Sequence, residues 1–428
     1  MKTTTKIKKV ALLLMCLPLF GLAQQTFIPD SIFESYLESN GMGNGILNDH
    51  YVTTSNISSV LSLDVKSMEI EYLTGIEDFT ALRTLYCDNN NLTQLNVTNN
   101  INLQVLSCGS SCSGGGNLLT SLDVSNNINL RYLRSDMNFL STLDLRHNPL
   151  LYYLRCGWNQ LASIDLSNNP LLQELSLYQN NLTSIDLIAN TELDYLFIGA
   201  NQLSSLDLSN NSKIVILQTG YQNIGSLDVS NMSQLEFLSC AQNELSYLDV
   251  TNNPLLTDLH FPTNHIASID VSNNSLITWM TADNNQLNTL DVSNLSELTT
   301  LTCRNNQLTI LDLRNGNNIN FVSQYPANPS LSPALDVRDN TNLTCINVDD
   351  ASYSILNWAK IDGFFIDPQH DYDDNCFFST DINEGEINND KKVVRIIDIL
   401  GKETTPSRNT PLFYIYDDGT VEKKIIIN

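Results

Sequence analysis

The sequence predicts a mainly β solenoid, because a short phrase returns at a fixed step through its middle. The phrase reads Leu-Asp-Val-Ser-Asn-Asn or Leu-Asp-Leu-Ser-Asn-Asn, and its aspartate recurs every 21 residues. These aspartates are Asp123, Asp144, Asp165, Asp186, Asp207, Asp228, Asp249, Asp270, Asp291 and Asp312. A constant step of this length is typical of coils that stack along one axis. Looser copies at Asp64, Asn96 and Asp336 extend the array to about 13 coils.

Each unit holds two short phrases in which apolar residues alternate with outward ones. In one unit Leu154 and Cys156 are the apolar residues of the first phrase, and Ile164 and Leu166 are those of the second. Alternation with a period of two indicates a half-buried strand, so we expect two parallel β-ladders around a continuous core. An asparagine recurs after the first strand, where its side chain can bond backbone groups of the turn. These residues are Asn138, Asn159, Asn180, Asn201, Asn243, Asn264, Asn285 and Asn306.

Five cysteines share one repeat position, the last apolar residue of the first phrase. They are Cys87, Cys108, Cys156, Cys240 and Cys303. Other coils place Leu177, Ile198 or Phe261 there, so we expect these cysteines to pack as small apolar residues. Two pairs remain as disulfide candidates: Cys345 with Cys376, which is favoured, and Cys108 with Cys112.

The repeat resembles that of bacterial leucine-rich repeat proteins, specifically the 21-residue class with nested phrases that is sometimes called IRREKO. The resemblance rests on units such as residues 151–170 and covers roughly residues 52–348. It implies a leucine-rich repeat solenoid, a scaffold that serves many different partners.

Segments of other kinds flank the predicted solenoid. Residues 1–23 have the positive region, apolar run and small-residue cleavage site of a secretory signal peptide. We expect an N-terminal helical cap over residues 24–52, the solenoid over 53–344, a C-terminal cap over 345–379 and a linker over 380–390.

Residues 391–428 contain three strand-like runs and are predicted to form a small β unit. The segment resembles the C-terminal sorting signal of Bacteroidetes type IX secretion, and the matching residues are Gly401, Tyr414, Gly419 and Lys423. The resemblance implies that the secretion machinery is a partner of this segment. A dimerising or capping hairpin is the alternative.

The net charge of the chain and its predicted export limit the classes of partner that we expect. A formal net charge of -25 disfavours nucleic acid and anionic lipid, and leaves cations, basic surfaces and neutral glycans. The signal peptide predicts a secreted protein, extracellular or anchored at the outer cell surface. We expect a monomer without a transmembrane span.

The outward residues of the first strand vary from coil to coil and include many aromatic side chains. Interfaces favour aromatic residues and arginine, so we interpret this surface as a binding face for a protein or a glycan. The predicted face consists of Tyr132, Tyr153, Arg155, Trp158, Tyr178, Tyr195, Phe197, Tyr221, Phe237 and Trp279. The alternative is that stacked aromatic residues only stabilise neighbouring strands.

The aspartates of the second phrase carry a separate hypothesis. Carboxylates about 4.8 Å apart repel each other, so each is expected to accept hydrogen bonds from the following turn. Weak Ca²⁺ sites are the alternative, with Asp165, Asp186, Asp207 and Asp228 as candidates, and would fit a structural spacer bridged by cations. No other cofactor is implied.

No motif predicts catalysis. The five histidines are scattered, and the chain has neither an HExxH nor a GxSxG motif. The sequence therefore predicts a non-catalytic recognition or adhesion protein.

Overall fold

The computed structural model describes residues 24–110, 115–322, 333–358, 363–376, 393–397, 402–404, 411–416 and 421–425. These residues belong to two compact units, Met1–Cys376 and Phe377–Asn428. The predicted signal peptide (1–23) and linker (380–390) lie outside the described residues.

The first unit begins with a short hairpin and a helix. These elements are β1 (Gln25–Phe27), α1 (Ser31–Ser39), β2 (Tyr51–Thr53) and α2 (Thr54–Ile57). Strands β1 and β2 pair antiparallel. Asp30 begins α1, because its Oδ1 accepts the backbone N–H groups of Ile32 and Phe33. Phe33 is fully buried and stacks on Phe79, with ring centroids 6.4 Å apart, so α1 packs against the core of the first coils.

A long parallel sheet of 14 strands runs through the coils. Its strands are β3 (Ser62–Asp64), β4 (Thr84–Tyr86), β5 (Val105–Ser107), β6 (Tyr132–Arg134), β7 (Tyr153–Arg155), β8 (Glu174–Ser176), β9 (Tyr195–Phe197), β10 (Ile216–Gln218), β11 (Phe237–Ser239), β12 (Asp258–His260), β13 (Trp279–Thr281), β15 (Thr300–Thr302), β17 (Leu335–Asp336) and β19 (Phe364–Phe365). Two short 3-10 helices, Ile76–Asp78 and Asn318–Asn320, lie between coils. The solenoid predicted from the 21-residue step is confirmed.

The core is continuous from the first coil to the last. Its five cysteines are buried and free, so their predicted role in packing is confirmed. They are Cys87, Cys108, Cys156, Cys240 and Cys303. Burial raises the pKa of each thiol, that of Cys240 to about 12, so little thiolate exists at neutral pH.

The second phrase forms regular strands only towards the end of the array. A four-stranded parallel sheet contains β14 (Thr289–Asp291), β16 (Ile310–Asp312), β18 (Cys345–Asn347) and β20 (Asp371–Asp373). In earlier coils, buried asparagines connect successive coils where backbone ladder bonds are missing. Asn169, for example, donates from Nδ2 to the carbonyls of Leu145 (3.2 Å) and Asn148 (3.0 Å).

The segment expected to close the array still contributes strands to both sheets. Strands β18, β19 and β20 pair in parallel with the preceding coil or with each other, and α3 (Ala351–Asn357) lies between β18 and β19. A disulfide joins Cys345 to Cys376, the pair favoured from the sequence. Cys112 of the other candidate pair lies outside the described residues, and Cys108 is free. Trp358, 1% exposed, stacks on Phe364 and fills the end of the core.

The second unit contains an antiparallel sheet of three strands, β21 (Val393–Ile397), β22 (Pro411–Tyr416) and β23 (Val421–Ile425). Tyr414 lies in β22 and Lys423 in β23, while Gly401 and Gly419 lie outside the described residues. In the parts of both units that the structure describes, no helix is both long and apolar enough to cross a bilayer.

Candidate functional site: the aromatic face of the long sheet

The long sheet displays its outward side chains in rows. In β7 the middle residue Leu154 is fully buried, so Tyr153 and Arg155 on either side of it point outward and are partly exposed. The parallel strands pair in register, which places Tyr132 beside Tyr153 and Arg134 beside Arg155. Equivalent residues of successive coils therefore form continuous rows. We call the row of third strand residues, which includes Arg155, the third-residue row.

Arg155 is fixed on this face by several partners. Its guanidinium forms an ion pair with Glu174 of the next strand, with Nη2 2.5 Å from Oε1. The same group lies 5.5 Å from the ring centre of Tyr153 and 5.9 Å from that of Phe197. Tyr153 in turn stacks on Tyr132 with centroids 4.0 Å apart, and burial raises the pKa of its hydroxyl. The arginine is therefore a neutralised, oriented group and does not act as a free cation.

Five of the predicted residues come together in one open groove of about 460 Å³, which we call the aromatic groove. Its lining consists of Arg155, Trp158, Ser176, Tyr178, Phe197, Gly199, Gln218, Gly220, Tyr221 and Ser239. The rings of Trp158 and Tyr178 lie 5.0 Å apart at 52°. A Cβ at Gly199 would lie 2.7 Å from the carbonyl oxygen of Gly220 and 3.2 Å from Cε2 of Tyr178. Glycine is therefore required where the Tyr178 ring lies over the neighbouring coil.

Two aromatic residues of the groove occupy a position where the backbone is left-handed. This position precedes the asparagine that follows the first strand, and its residues with positive φ are Asn89, Met137, Trp158, Gln179, Ala200, Tyr221, Gln242, Thr263, Asn284, Asn305 and Asp339. Bulky residues pay roughly 1–2 kcal/mol for this conformation, whereas asparagine tolerates it. Trp158 (φ 49°) is nevertheless 39% exposed and Tyr221 (φ 64°) is 57% exposed. Core packing does not explain large aromatic side chains at these two positions.

Phe237 and Trp279 form a separate cluster around His260. The imidazole ring lies 5.3 Å from the Phe237 ring and 4.7 Å from the Trp279 ring, and its Nδ1 is 3.0 Å from Oγ1 of Thr281. Burial lowers the pKa of His260 to about 4, so the ring is neutral at pH 7. From the sequence alone this histidine is interpreted as an ordinary surface residue. Its position in the third-residue row, between coils that carry Phe237 and Trp279, could have indicated that it packs between aromatic rings.

Beyond Trp279 the face becomes charged. A second groove of about 530 Å³ is lined by Asp283, Asn284, Arg304, Asp336, Arg338 and Asp339, among others. Its arginines are already paired: Arg338 Nη2 lies 2.5 Å from Asp336 Oδ2, and Arg304 Nε lies 2.6 Å from Asp339 Oδ2. We call this the charged groove.

All ten predicted residues lie on or directly beside the long sheet, but they do not form one site. Arg155, Trp158, Tyr178, Phe197 and Tyr221 line the aromatic groove. Tyr132 and Tyr153 stack on β6 and β7, Tyr195 is exposed on β9, and Phe237 and Trp279 contact His260. The prediction omitted Ser176, Gln218 and Ser239 of the same groove. Their shared position in the repeat could have identified them.

The aspartates of the second phrase all make the same local hydrogen bond. In each, Oδ1 accepts the backbone N–H two residues ahead, at 2.9–3.2 Å. Hydrogen bonds from the residue two positions ahead lower the pKa of several carboxyls, and Arg146 holds that of Asp144 at about 2. Among the described residues, no group of three or more His, Cys, Asp or Glu side chains could hold a metal ion. Asp165, Asp186, Asp207 and Asp228 thus each bond their own turn.

Solved leucine-rich repeat structures resemble this chain, although no known family profile and no curated protein matches its sequence. The functional domain of InlJ from Listeria monocytogenes, which includes a cysteine ladder, is 22% identical with a TM-score of 0.50, over 95% of this chain and 99% of that one. The internalin InlF from L. monocytogenes strain 4b F2365 is 25% identical with a TM-score of 0.55, over 66% of this chain and 91% of that one.

A plant protein shares the architecture as well. The leucine-rich repeat ectodomain of the Arabidopsis thaliana receptor kinase GASSHO1/SCHENGEN3, in complex with CASPARIAN STRIP INTEGRITY FACTOR 2, is 16% identical with a TM-score of 0.50, over 69% of this chain and 42% of that one. These similarities confirm the leucine-rich repeat fold.

Proposed function

We propose that this chain is a non-catalytic recognition or adhesion protein that binds a protein or a glycan through the aromatic face of its long sheet. The observation that carries the proposal is the exposure of large aromatic residues on neighbouring coils of one face. Trp158, Tyr195 and Tyr221 are 39%, 39% and 57% exposed, and a partner would cover them. Buried aromatic anchors provide much of the binding energy in protein interfaces.

The comparisons support a binding role by analogy of fold. The plant receptor ectodomain has the same architecture and is in complex with an integrity factor. Leucine-rich repeat scaffolds serve many partners, so the fold alone does not identify the ligand.

We further propose that the protein acts outside the cytoplasm, secreted or held at the outer cell surface. The signal-like residues 1–23 and the resemblance of residues 391–428 to a type IX sorting segment support this proposal. In a host with that machinery, a chain lacking residues 391–428 is expected to remain in the cells. Full release of the truncated chain into the medium would contradict a sorting role.

Substitution of three aromatic residues on the face tests the binding proposal. A variant with Tyr153→Ser, Tyr195→Ser and Phe197→Ser is expected to lose binding to arrayed extracellular proteins and glycans, because it removes aromatic contact area from β7 and β9. The matched control changes three similarly large residues outside this face, Leu171→Ser, Ile188→Ser and Tyr247→Ser, which are 46%, 60% and 66% exposed. Equal binding by both variants would contradict the proposal.

A structural spacer bridged by cations is the second candidate function. The observation that favours it is the file of ten aspartates at one repeat position. If cations bridge this file, excess chelator should lower the thermal midpoint and added Ca²⁺ should restore it. Because each carboxylate already bonds its own turn, we expect the midpoint to stay unchanged.

A further inference from the structure

Polar side chains of the third-residue row are bonded inside the protein on both sides of the aromatic groove. Towards the N-terminus, Ser107 donates from Oγ to Asp88 Oδ1 at 2.6 Å. Towards the C-terminus, Thr302 donates from Oγ1 to Asp283 Oδ2 at 2.6 Å, and His260 pairs with Thr281. Outside the groove, these polar side chains of the third-residue row therefore have hydrogen-bond partners within the protein.

The groove interrupts this pattern. Ser176, Gln218 and Ser239 belong to the same row and line the groove, but none of their side chains forms a hydrogen bond within the described ranges. One hydroxyl from β8, one amide from β10 and one hydroxyl from β11 therefore face the groove with free donors and acceptors. A ligand rich in hydroxyl groups could bond all three.

The groove also has no unpaired charged side chain in its lining, on a protein of net charge -25. Arg155 is the one charged residue among those that line it, and its guanidinium is paired with Glu174. The charged groove, which lies beyond β12 on the same sheet, has three aspartates and two arginines. The aromatic groove thus offers no spare cation to an anionic ligand and no carboxylate to a basic one.

The backbone of the groove leaves no room for a peptide that pairs as an extra strand. Trp158 N–H donates to Tyr178 O at 2.8 Å, Ala200 N–H to Gly220 O at 2.8 Å, and Tyr221 N–H to Ala241 O at 2.7 Å. Peptides that bind by strand addition need free backbone groups at a sheet edge. These groups already bond the neighbouring coil, so recognition here depends on side chains.

We propose that the aromatic groove binds the uncharged sugar rings of a neutral glycan. The aromatic ring faces are electron-rich and attract the weakly positive C–H groups on one face of a pyranose ring. Trp158 and Tyr221 supply these faces, and Ser176, Gln218 and Ser239 bond the sugar hydroxyls. This inference rests on the proposed function and specifies its ligand class.

Calorimetric titration of the full chain with defined oligosaccharides tests the inference. The neutral probes are cellohexaose, xylohexaose and mannohexaose, and the charged probe is an oligogalacturonate of equal length. We expect at least one neutral probe to bind and the charged probe to bind more weakly. Trp158→Asn and Tyr221→Asn are each expected to weaken neutral binding at least tenfold.

The two variants are designed to keep the fold. Asparagine already occupies the same left-handed position at Asn89, Asn284 and Asn305, so the thermal midpoint should not fall. Thr263→Asn is the matched control at this repeat position outside the groove, and it should bind within twofold of the unchanged protein.

Three results would overturn the inference: no binding of any neutral probe, tighter binding of the charged probe, or unchanged binding by both groove variants. A failure of the glycan inference can be distinguished from a failure of the proposed binding function. If no sugar binds but the Tyr153, Tyr195 and Phe197 variant still loses attachment to an arrayed protein, only the glycan inference fails. If that variant keeps all binding, the proposed function itself fails.

Discussion

At the scale of single residues, a buried amide closes the first turn of most coils. Asn180 is typical: Nδ2 donates to the carbonyls of Cys156 (3.0 Å) and Leu177 (3.1 Å), and Oδ1 accepts the N–H of Leu161 at 3.0 Å. The same pattern holds at Asn159 and most other positions predicted from the sequence, whereas Asn243 makes the equivalent donor bonds to Thr219 and Cys240 but its Oδ1 accepts none. The predicted role of these asparagines in satisfying turn backbone groups is confirmed.

Gln222 replaces this asparagine in one coil, and it provides a test. Its longer side chain donates only to the carbonyl of Thr219, and the N–H of Leu203 has no side-chain acceptor equivalent to Asn180 Oδ1. Gln222→Asn should restore the missing bonds and raise the free energy of unfolding by about 1 kcal/mol. Urea unfolding measures the change.

The control for this substitution is Gln202→Asn at an exposed site outside the left-handed positions, which should change stability by less than about 0.5 kcal/mol. A loss of stability in Gln222→Asn would show that the shorter amide does not reach the two neighbouring coils.

At the scale of elements, α1 is attached to the first coils through its capping residue. Besides the helix N–H groups of Ile32 and Phe33, Asp30 accepts those of Glu71 (2.7 Å) and Tyr72 (3.1 Å) through Oδ2. Asp30→Ala should therefore cost about 2–3 kcal/mol of unfolding free energy, more than the roughly 1 kcal/mol of an ordinary cap.

Asp350 provides the matched comparison. It caps α3 by accepting a single backbone N–H, that of Tyr353, so Asp350→Ala should show the smaller loss. Equal losses in chemical denaturation would mean that the contacts of Asp30 with Glu71 and Tyr72 contribute nothing.

The turns of the second phrase should make the protein sensitive to acid. Hydrogen bonds from the following serine, through its hydroxyl and N–H groups, lower the pKa of Asp165, Asp207 and Asp228. A carboxyl whose pKa is lower in the folded state stabilises the fold above its unfolded pKa of about 4, and this contribution is lost as pH falls through the folded value.

Asparagine keeps the acceptor oxygen and removes the titration. A variant with all three aspartates changed to asparagine should therefore have a lower free energy of unfolding than the unchanged protein at pH 7, and this difference should shrink as pH falls below the folded pKa of the carboxyls. Urea unfolding at pH 7 and at acid pH measures both values, and an equal difference at the two pH values would mean that these turns do not contribute to acid sensitivity.

At the scale of the whole molecule, periodicity made the fold predictable. A step of 21 residues determines which side chains point inward, so Leu154, Cys156 and their equivalents could be placed in the core from the sequence. The same step placed the aromatic residues on one face. The irregular second sheet was less predictable, because asparagine side chains replace ladder bonds in the earlier coils.

The spacing of residues in the repeat does not predict the side-chain geometry of the aromatic face. The pairing of Arg155 with Glu174 and the position of Tyr178 over Gly199 depend on side-chain conformations across neighbouring coils. For the same reason the sequence grouped Trp279 with Trp158, whereas the structure places them at the charged groove and the aromatic groove respectively.

Hydroxyl-radical footprinting of the full chain, alone and bound to the glycan or protein that it captures, tests the aromatic face most directly. Binding through this face should protect Trp158, Tyr195 and Tyr221 from oxidation. Tyr72 and Tyr247, which are 50% and 66% exposed outside the predicted face, should be oxidised at the same rate in both states. Protection of Tyr72 or Tyr247, with unchanged oxidation of Trp158, Tyr195 and Tyr221, would show that recognition takes place on another surface.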